Sequence, residues 1–282
     1  MSKEWALAIQ GGGQRAVFAA GVVDVLIEEG LFASEVYGCS AGNWVGLNYA
    51  QKKKGAALKL FLDTKFSDIL TVGKFMHGGS LIDFGHYFDE AKNKDLDKKA
   101  VLESEINCFA AATNVDACKP LYVSKHDPRF WDACEASCSL AIFTKKPKMV
   151  GDTPALDGGY VERIPFVRPL SQGKKVVVVS NREKGFRFKD LHEKEEFIVS
   201  RRFKKYPNFV NEYQQSHINY HEHLRQLEEE EKNGNVFVIY PPHSLDISVT
   251  NTNADVLRAA YDLGVLTAKS ILPDLKKYLL SD

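Results

Sequence analysis

Near its start the chain passes from a strand, through three consecutive glycines, into a helix. Trp5–Ile9 is a short apolar run with the length and composition of a buried strand. It leads into Gln10-Gly11-Gly12-Gly13-Gln14-Arg15, and the stretch Ala16–Ile27 that follows is apolar on nearly every face. A helix of that kind lies inside a core, and Gly30 after Glu28-Glu29 marks its stop. A buried strand feeding a buried helix over so short a turn fits a layered α/β fold. The loop also has a chemical consequence. Three glycines allow neighbouring backbone N–H groups to turn outward together, and the helix dipole adds positive potential there. Something anionic belongs in that loop.

The next such junction carries a serine. Gly38-Cys39-Ser40-Ala41-Gly42 reads Gly-x-Ser-x-Gly, after the apolar pair Val36-Tyr37 and before a helical stretch, Asn43–Lys53. Strand, serine and helix in that order make a nucleophile elbow, a turn so tight that only small residues fit beside the serine. Gly38 and Gly42 fill that requirement.

Which anion the glycine loop receives has more than one answer. Gly11-x-Gly13-x-x-Ala16 fits the dinucleotide fingerprint, which also asks for an acidic residue at the end of the second strand to hold a ribose. Here that strand ends in the serine elbow, and Glu35 precedes it. The cofactor reading lacks that residue. Two others stay open: an oxyanion hole, with the Gly12 and Gly13 amides aimed at a carbonyl oxygen under attack by Ser40, or an anion-binding loop without chemistry. A serine nucleophile needs a base. Leu156-Asp157-Gly158-Gly159-Tyr160 ends a further apolar segment. Asp157 there is either a turn residue, since Asp-Gly is a strong hairpin signal, or that base.

The three motifs in this order resemble those of the patatin-like phospholipases, whose pattern is Gly-Gly-Gly-x-Arg/Lys-Gly, Gly-x-Ser-x-Gly and Asp-Gly-Gly/Ala. The chain gives Gly11-Gly12-Gly13-Gln14-Arg15-Ala16, Gly38-Cys39-Ser40-Ala41-Gly42 and Asp157-Gly158-Gly159. The resemblance implies an acyl hydrolase with a Ser–Asp dyad: Ser40 as nucleophile, Asp157 as base, and Gly11, Gly12, Gly13 and Gln14 around the oxyanion. Arg15 then lends positive potential to the loop or anchors it. This chemistry calls for neither a metal nor an organic cofactor, and its substrate is a lipid or other ester. Two departures stand out. Ala16 replaces the last glycine of the first motif, and Ser137–Phe143 replaces an Ala-Ile-Pro-like stretch. The resemblance is strongest over residues 4–180 and weak from Glu183 to Asn235. The layout looks like small bacterial, cytoplasmic-type members.

Strand-like runs at Ala6–Ile9, Val36–Tyr37, Asn107–Thr113, Leu121–Val123, Val176–Ser180 and Val236–Tyr240 alternate with helical patterns. That order predicts a three-layer α/β/α domain with a mostly parallel sheet, here one domain over residues 1–282 with a charged, mostly helical segment at about 183–235. A long helix over Asn253–Leu280 is expected, interrupted or bent at Gly264 and Pro273. The 282 residues carry a formal net charge of zero, so no basic excess points to nucleic acid. No apolar run approaches a membrane span. The N-terminus enters a strand directly, and five irregularly spaced cysteines suit a reducing compartment; both favour the cytoplasm. Cys134 and Cys138 read as buried thiols.

Residues Arg201–Phe209 mix basic and aromatic side chains. They either meet anionic headgroups at a membrane surface or turn their rings into the core. Glu228–Glu231 reads as a solvated helix end, and His217, His221 and His223 as surface histidines. Two rival readings remain. One is a Ser-His-Asp esterase of the α/β-hydrolase type, with His192, His217 or His243 as third member. The other is a non-catalytic binding protein on the same fold. Oligomeric state is not legible.

Overall fold

The computed structural model describes residues 4–64, 70–78, 80–83, 85–89, 93–187, 193–249, 251 and 253–281. The expected junctions form as read. Strand β1 (Trp5–Ile9) leads through the glycine loop into helix α1 (Val17–Glu28), and β2 (Glu35–Cys39) leads through Ser40 into α2 (Ala41–Ala50). After α3 (Ala56–Asp63), α4 (Val72–Met76) and α5 (Lys98–Glu103) come β3 (Asn107–Asn114) and β4 (Lys119–Ser124). Helix α6 (Phe130–Ser137), strands β5 (Lys148–Val150) and β6 (Thr153–Asp157), α7 (Val167–Ser171) and β7 (Lys175–Val179) follow. The chain closes with α8 (Glu193–Arg202), α9 (Pro207–Lys232), β8 (Val236–Ile239) and α10 (Ala254–Leu280).

The strands make one mixed eight-stranded sheet. Strands β3, β2, β1, β7 and β8 run parallel in that order. Strand β4 lies antiparallel along one edge of β3, from Phe109 to Asn114. The other edge is shared. Strand β2 occupies it up to the pair Cys39–Ala111, and the antiparallel β6 takes it from the pair Asp157–Ala112 onward. Strands β5 and β6, a short antiparallel hairpin, are elements the alternation of apolar runs did not separate.

Helices cover both faces, because successive strand residues point to opposite sides. On β7, Val177 and Val179 pack with α1, α2 and α10, whereas Val176 and Val178 pack with Tyr220, Leu224 and Leu227 of α9. Of the expected interruption or bend, the interruption does not occur: α10 is one continuous helix through Gly264 and Pro273. Gly264 serves contact instead. A Cβ there would lie 2.2 Å from the Phe18 carbonyl oxygen, and one on Gly21 would lie 2.2 Å from that of Tyr261. The pair lets the backbones of α1 and α10 touch, which locks the last helix onto the first.

Candidate active site

Ser40 occupies the sharp turn between β2 and α2 with φ 52° and ψ −129°, a sparsely populated conformation for a side-chain-bearing residue. Such a conformation costs on the order of 1–3 kcal/mol and persists only where its surroundings hold it. They do so here. A Cβ on Gly42 would come within 2.6 Å of the Ile9 carbonyl oxygen, and one on Gly38 within 2.3 Å of Asn43 Cα. The turn is thus pressed against β1 and its own helix. The Ser40 amide donates to Ser137 Oγ at 2.8 Å, and that hydroxyl donates to the Ala111 carbonyl at 2.6 Å. Ser137 therefore ties the elbow to β3. The sequence reading missed its role, and the Ser137–Phe143 stretch carries no signal that would have marked it.

Asp157 ends β6 and starts a short turn over Gly158–Tyr160. Its backbone is fixed on both sides: the amide donates to the Ser139 carbonyl at 3.0 Å, and the carbonyl accepts from Thr113 Oγ1 at 2.8 Å. Oδ1 accepts from the Gly159 amide at 2.8 Å. The Asp-Gly turn and the site carboxyl are the same residue, so the two readings of Asp157 are not alternatives. Burial raises its pKa to about 6, offset in part by the Ser40 hydroxyl, the Gly159 amide and the Arg163 charge. The contact with Ser40 is loose. Oδ2 has no hydrogen bond of ordinary length and angle among the described residues, yet the hydroxyl is close enough to favour the charged carboxylate.

The glycine loop lies above the same spot, but its amides are not equivalent. Gly11 N–H donates to the Arg163 carbonyl at 3.1 Å, and Gln14 N–H donates to the Val249 carbonyl at 3.2 Å. Of the four residues expected around an oxyanion, Gly11 and Gln14 thus have amides that already satisfy backbone carbonyls. Among the described residues the Gly12 and Gly13 amides make no hydrogen bond. Gly13 has φ +56°, and a Cβ on it would meet Val249 Cγ1 at 2.5 Å and its carbonyl oxygen at 2.6 Å. Only glycine holds that conformation in that space. Gln10 braces the loop from behind: Nε2 donates to Tyr220 Oη at 2.7 Å, and Oε1 accepts from the Asn181 amide at 2.7 Å.

Arg15 is held by a backbone hydrogen bond, with no salt bridge among the described residues. Nη1 donates to the Ile247 carbonyl at 2.8 Å. The guanidinium also lines the site, and burial together with the charges of Arg182 and Arg163 pushes its pKa down to about 10. Ser40, Asp157 and the glycine loop open into one cavity of about 370 Å³. Its apolar wall includes Phe61, Leu140, Ile142 and Tyr213, and Tyr213 and Tyr220 bring α9 into the wall. Sequence reasoning left α9 without a place in the site.

Among the described residues no histidine lines the cavity. His243 is exposed and pairs with the Ser244 carbonyl, and His217 sits on α9 outside the lining. His192 lies outside the described residues. His223 is half-buried rather than freely exposed: it packs on Phe166 and lies 2.9 Å from the Ile164 carbonyl oxygen. The basic–aromatic stretch turns inward, with Phe203 and Phe209 buried beside Tyr213. Arg202 Nη1 donates to the carbonyls of Ala141, Ile142 and Thr144, each at 2.9 Å. Glu228 and Glu231 at the end of α9 pair with Arg187 and Lys184. Cys134 and Cys138 are buried thiols.

An elbow serine, a buried carboxyl and a glycine loop around one apolar cavity define the layout of an α/β acyl-hydrolase fold. The patatin-like phospholipase profile matches residues 7–169, and the chain belongs to that family. A second profile, a domain of unknown function (DUF6363), matches residues 206–280, which span α9, β8 and α10. The chain is 26% identical over 286 residues to the uncharacterized protein YjjU of Escherichia coli (strain K12), covering 97% of this chain and 78% of that protein. Its fold is similar to that of VipD from Legionella pneumophila, with a TM-score of 0.50 at 13% identity, over 97% of this chain and 67% of the VipD chain.

Proposed function

We propose that the protein is a lipid acyl hydrolase that cleaves carboxylic esters through a Ser40–Asp157 dyad. The observation that carries this reading is a strained serine beside a buried carboxyl whose pKa is raised to about 6. An ordinary carboxylate is a weak base, and burial moves this one toward the range in which a general base works near neutral pH. As Ser40 Oγ attacks the ester carbonyl, Asp157 accepts its proton. The negative charge that forms on the carbonyl oxygen meets the Gly12 and Gly13 amides. Collapse of the tetrahedral intermediate expels the alcohol, which takes the proton back from Asp157. Water then attacks the acyl-enzyme, again giving its proton to Asp157, and the departing Ser40 recovers it as the fatty acid leaves. The apolar wall of the cavity suits the acyl chain.

Membership of the patatin-like phospholipases supports a lipid as substrate. With it comes peripheral contact with a lipid surface. Among the described residues no helix is long and apolar enough to cross a membrane. The test is a serine-reactive fluorophosphonate followed by peptide mapping. We expect the label on Ser40 and none on folded Ser40→Ala protein. A label on another serine, or none on the folded wild type, overturns the assignment.

A further inference from the structure

The cavity holds a polar side chain that ester cleavage leaves unused. Gln14 lies in the single helical turn Gly13–Ala16 between the glycine loop and α1. Its main-chain amide is committed to the Val249 carbonyl. The side chain lines the cavity and is only 1% exposed. Among the described residues neither Nε2 nor Oε1 makes a hydrogen bond of ordinary length and angle. Gln10, at the start of the same loop, is the contrast: its carboxamide serves Tyr220, Ser180 and Asn181. Buried polar groups are nearly always paired, and leaving them open is costly. An open donor and an open acceptor on one cavity wall therefore mark a place for a ligand group that offers both.

The neighbours of Gln14 narrow the choice. Tyr87 is buried and lines the same cavity. Burial holds its hydroxyl neutral, and the Thr64 and Gln14 side chains act on that hydroxyl in the opposite direction, which puts the carboxamide close to it. Cys138 joins this spot to the nucleophile: its buried thiol senses the Ser40 hydroxyl, and the same sulfur acts on Tyr87. The open carboxamide is thus about one side chain away from Ser40, and both it and the phenol are uncharged. A neutral group near the ester carbonyl that both donates and accepts is a hydroxyl.

We propose that Gln14, assisted by Tyr87, binds a hydroxyl carried on the first few carbons of the acyl chain, so that the protein prefers hydroxyacyl esters to plain acyl esters. This rests on the hydrolase reading above and adds which acyl group the cavity takes. Gln14 Nε2 donates to the hydroxyl oxygen, and Oε1 accepts from its O–H. A plain acyl chain leaves both atoms of the carboxamide open, which is the kind of mismatch that lets a polar site reject an apolar analogue. Bridging water is the competing partner, and it treats the two acyl chains alike.

Two measurements decide it, and one of them needs no turnover. The first compares the p-nitrophenyl esters of β-hydroxyoctanoate and octanoate, each rate divided by that of hydroxide-catalysed hydrolysis. In wild type kcat/KM should favour the hydroxyacyl ester by at least about tenfold. Gln14→Leu should remove that preference or reverse it, and Tyr87→Phe, which keeps the carboxamide, should lower it by about threefold. Equal rates in wild type, a preference that survives Gln14→Leu, or an equal loss of both esters in that variant overturns the proposal. A melting curve gives a readout independent of activity. Gln14→Leu removes open polar atoms from the interior, so it should melt at or above the wild-type temperature; a lower value means that the carboxamide braces the loop, and overturns the proposal. The second measurement is calorimetric binding of the two monoacylglycerols with these chains to Ser40→Ala protein, where the hydroxyacyl lipid should again bind at least about tenfold more tightly. Equal binding overturns the subsite. Selective binding without turnover, and without a label on Ser40, leaves the subsite standing and defeats the hydrolase reading. Turnover without preference does the reverse.

Discussion

Ser40 and Asp157 meet because the strands that deliver them end head-on along one edge of β3. Strand β2 leaves that edge after the pair Cys39–Ala111, and β6, running the opposite way, leaves it after the pair Asp157–Ala112. One residue step on β3 therefore sets the distance between the two chain ends. Ser137 fixes the same strand from the other side, through its bonds to Ser40 N–H and the Ala111 carbonyl. The placement of Ser40 beside Asp157 is a property of sheet register.

Activity should follow the ionisation of Asp157. A base must be unprotonated, so kcat/KM should rise with pH through about 6 and level off above it. Asp157→Asn should lower turnover by about 10²–10⁴-fold in folded protein and abolish that limb of the profile. A pH–rate series on a soluble ester measures both. A limb that survives in Asp157→Asn assigns the base elsewhere.

The same residue should cost stability. Its carboxyl titrates near 6 in the folded protein, against 3.8 ordinarily, so between those values the native state holds the extra proton. Unfolding free energy then falls as pH rises through that window and stays lower above it, by at most about 3 kcal/mol. Asp157→Asn keeps an oxygen for the Gly159 amide and removes the buried charge. It should melt higher than wild type at about pH 8 and close to it at about pH 4. An equal or lower melting temperature at the higher pH contradicts the burial argument.

Gly13→Val tests the oxyanion loop. The new side chain meets the Val249 carbonyl and cannot keep φ +56°, so the amides of the loop must turn. Loss of one such donor costs about 10²–10³-fold in turnover. Lipid binding should change less than turnover does, and parallel binding and rate measurements separate the two. Wild-type turnover in this variant removes the loop from the mechanism.

Ser137→Ala should slow the enzyme without touching the substrate. It strips the Ser40 amide of its acceptor and the Ala111 carbonyl of its donor. Leaving such buried groups unpaired costs about 1–3 kcal/mol. We expect a drop in denaturation midpoint of that size and a fall in kcat on the order of tenfold. An unchanged kcat would show that the elbow holds its shape without this bond.

Gly264→Leu should destabilise the fold by about 3 kcal/mol or more, because its Cβ collides with the backbone of α1. Urea denaturation measures this. A stability within experimental error of wild type would mean that α1 and α10 do not cross as closely as described.

The sequence by itself determined the junctions. Strand β1, the glycine loop and α1 were legible from Trp5 to Ile27, and so was the elbow at Ser40. In each case the requirement is local: a short apolar run, residues without bulk where backbones touch, and an apolar helix to follow. Asp157 was legible as a residue that turns the chain, and its motif company raised it to a candidate base. What tertiary structure decided is everything that depends on contacts between distant segments. The amides of Gly11 and Gln14 are committed to the carbonyls of Arg163 and Val249, which leaves them unable to meet an oxyanion without breaking those bonds. Gly264 looked like a helix breaker, but its missing side chain faces Phe18 and makes a helix crossing. Arg201–Phe209 read either as a headgroup contact or as a loop with its rings turned into the core, and only packing chose: Phe203 and Phe209 are buried. Ser137, Arg163, Arg182 and Tyr220 gave no signal at all. Local pattern records what each residue needs from its immediate neighbours. Which carbonyl an amide finds, and which charges share one hollow, is fixed only when register and packing bring remote parts of the chain together.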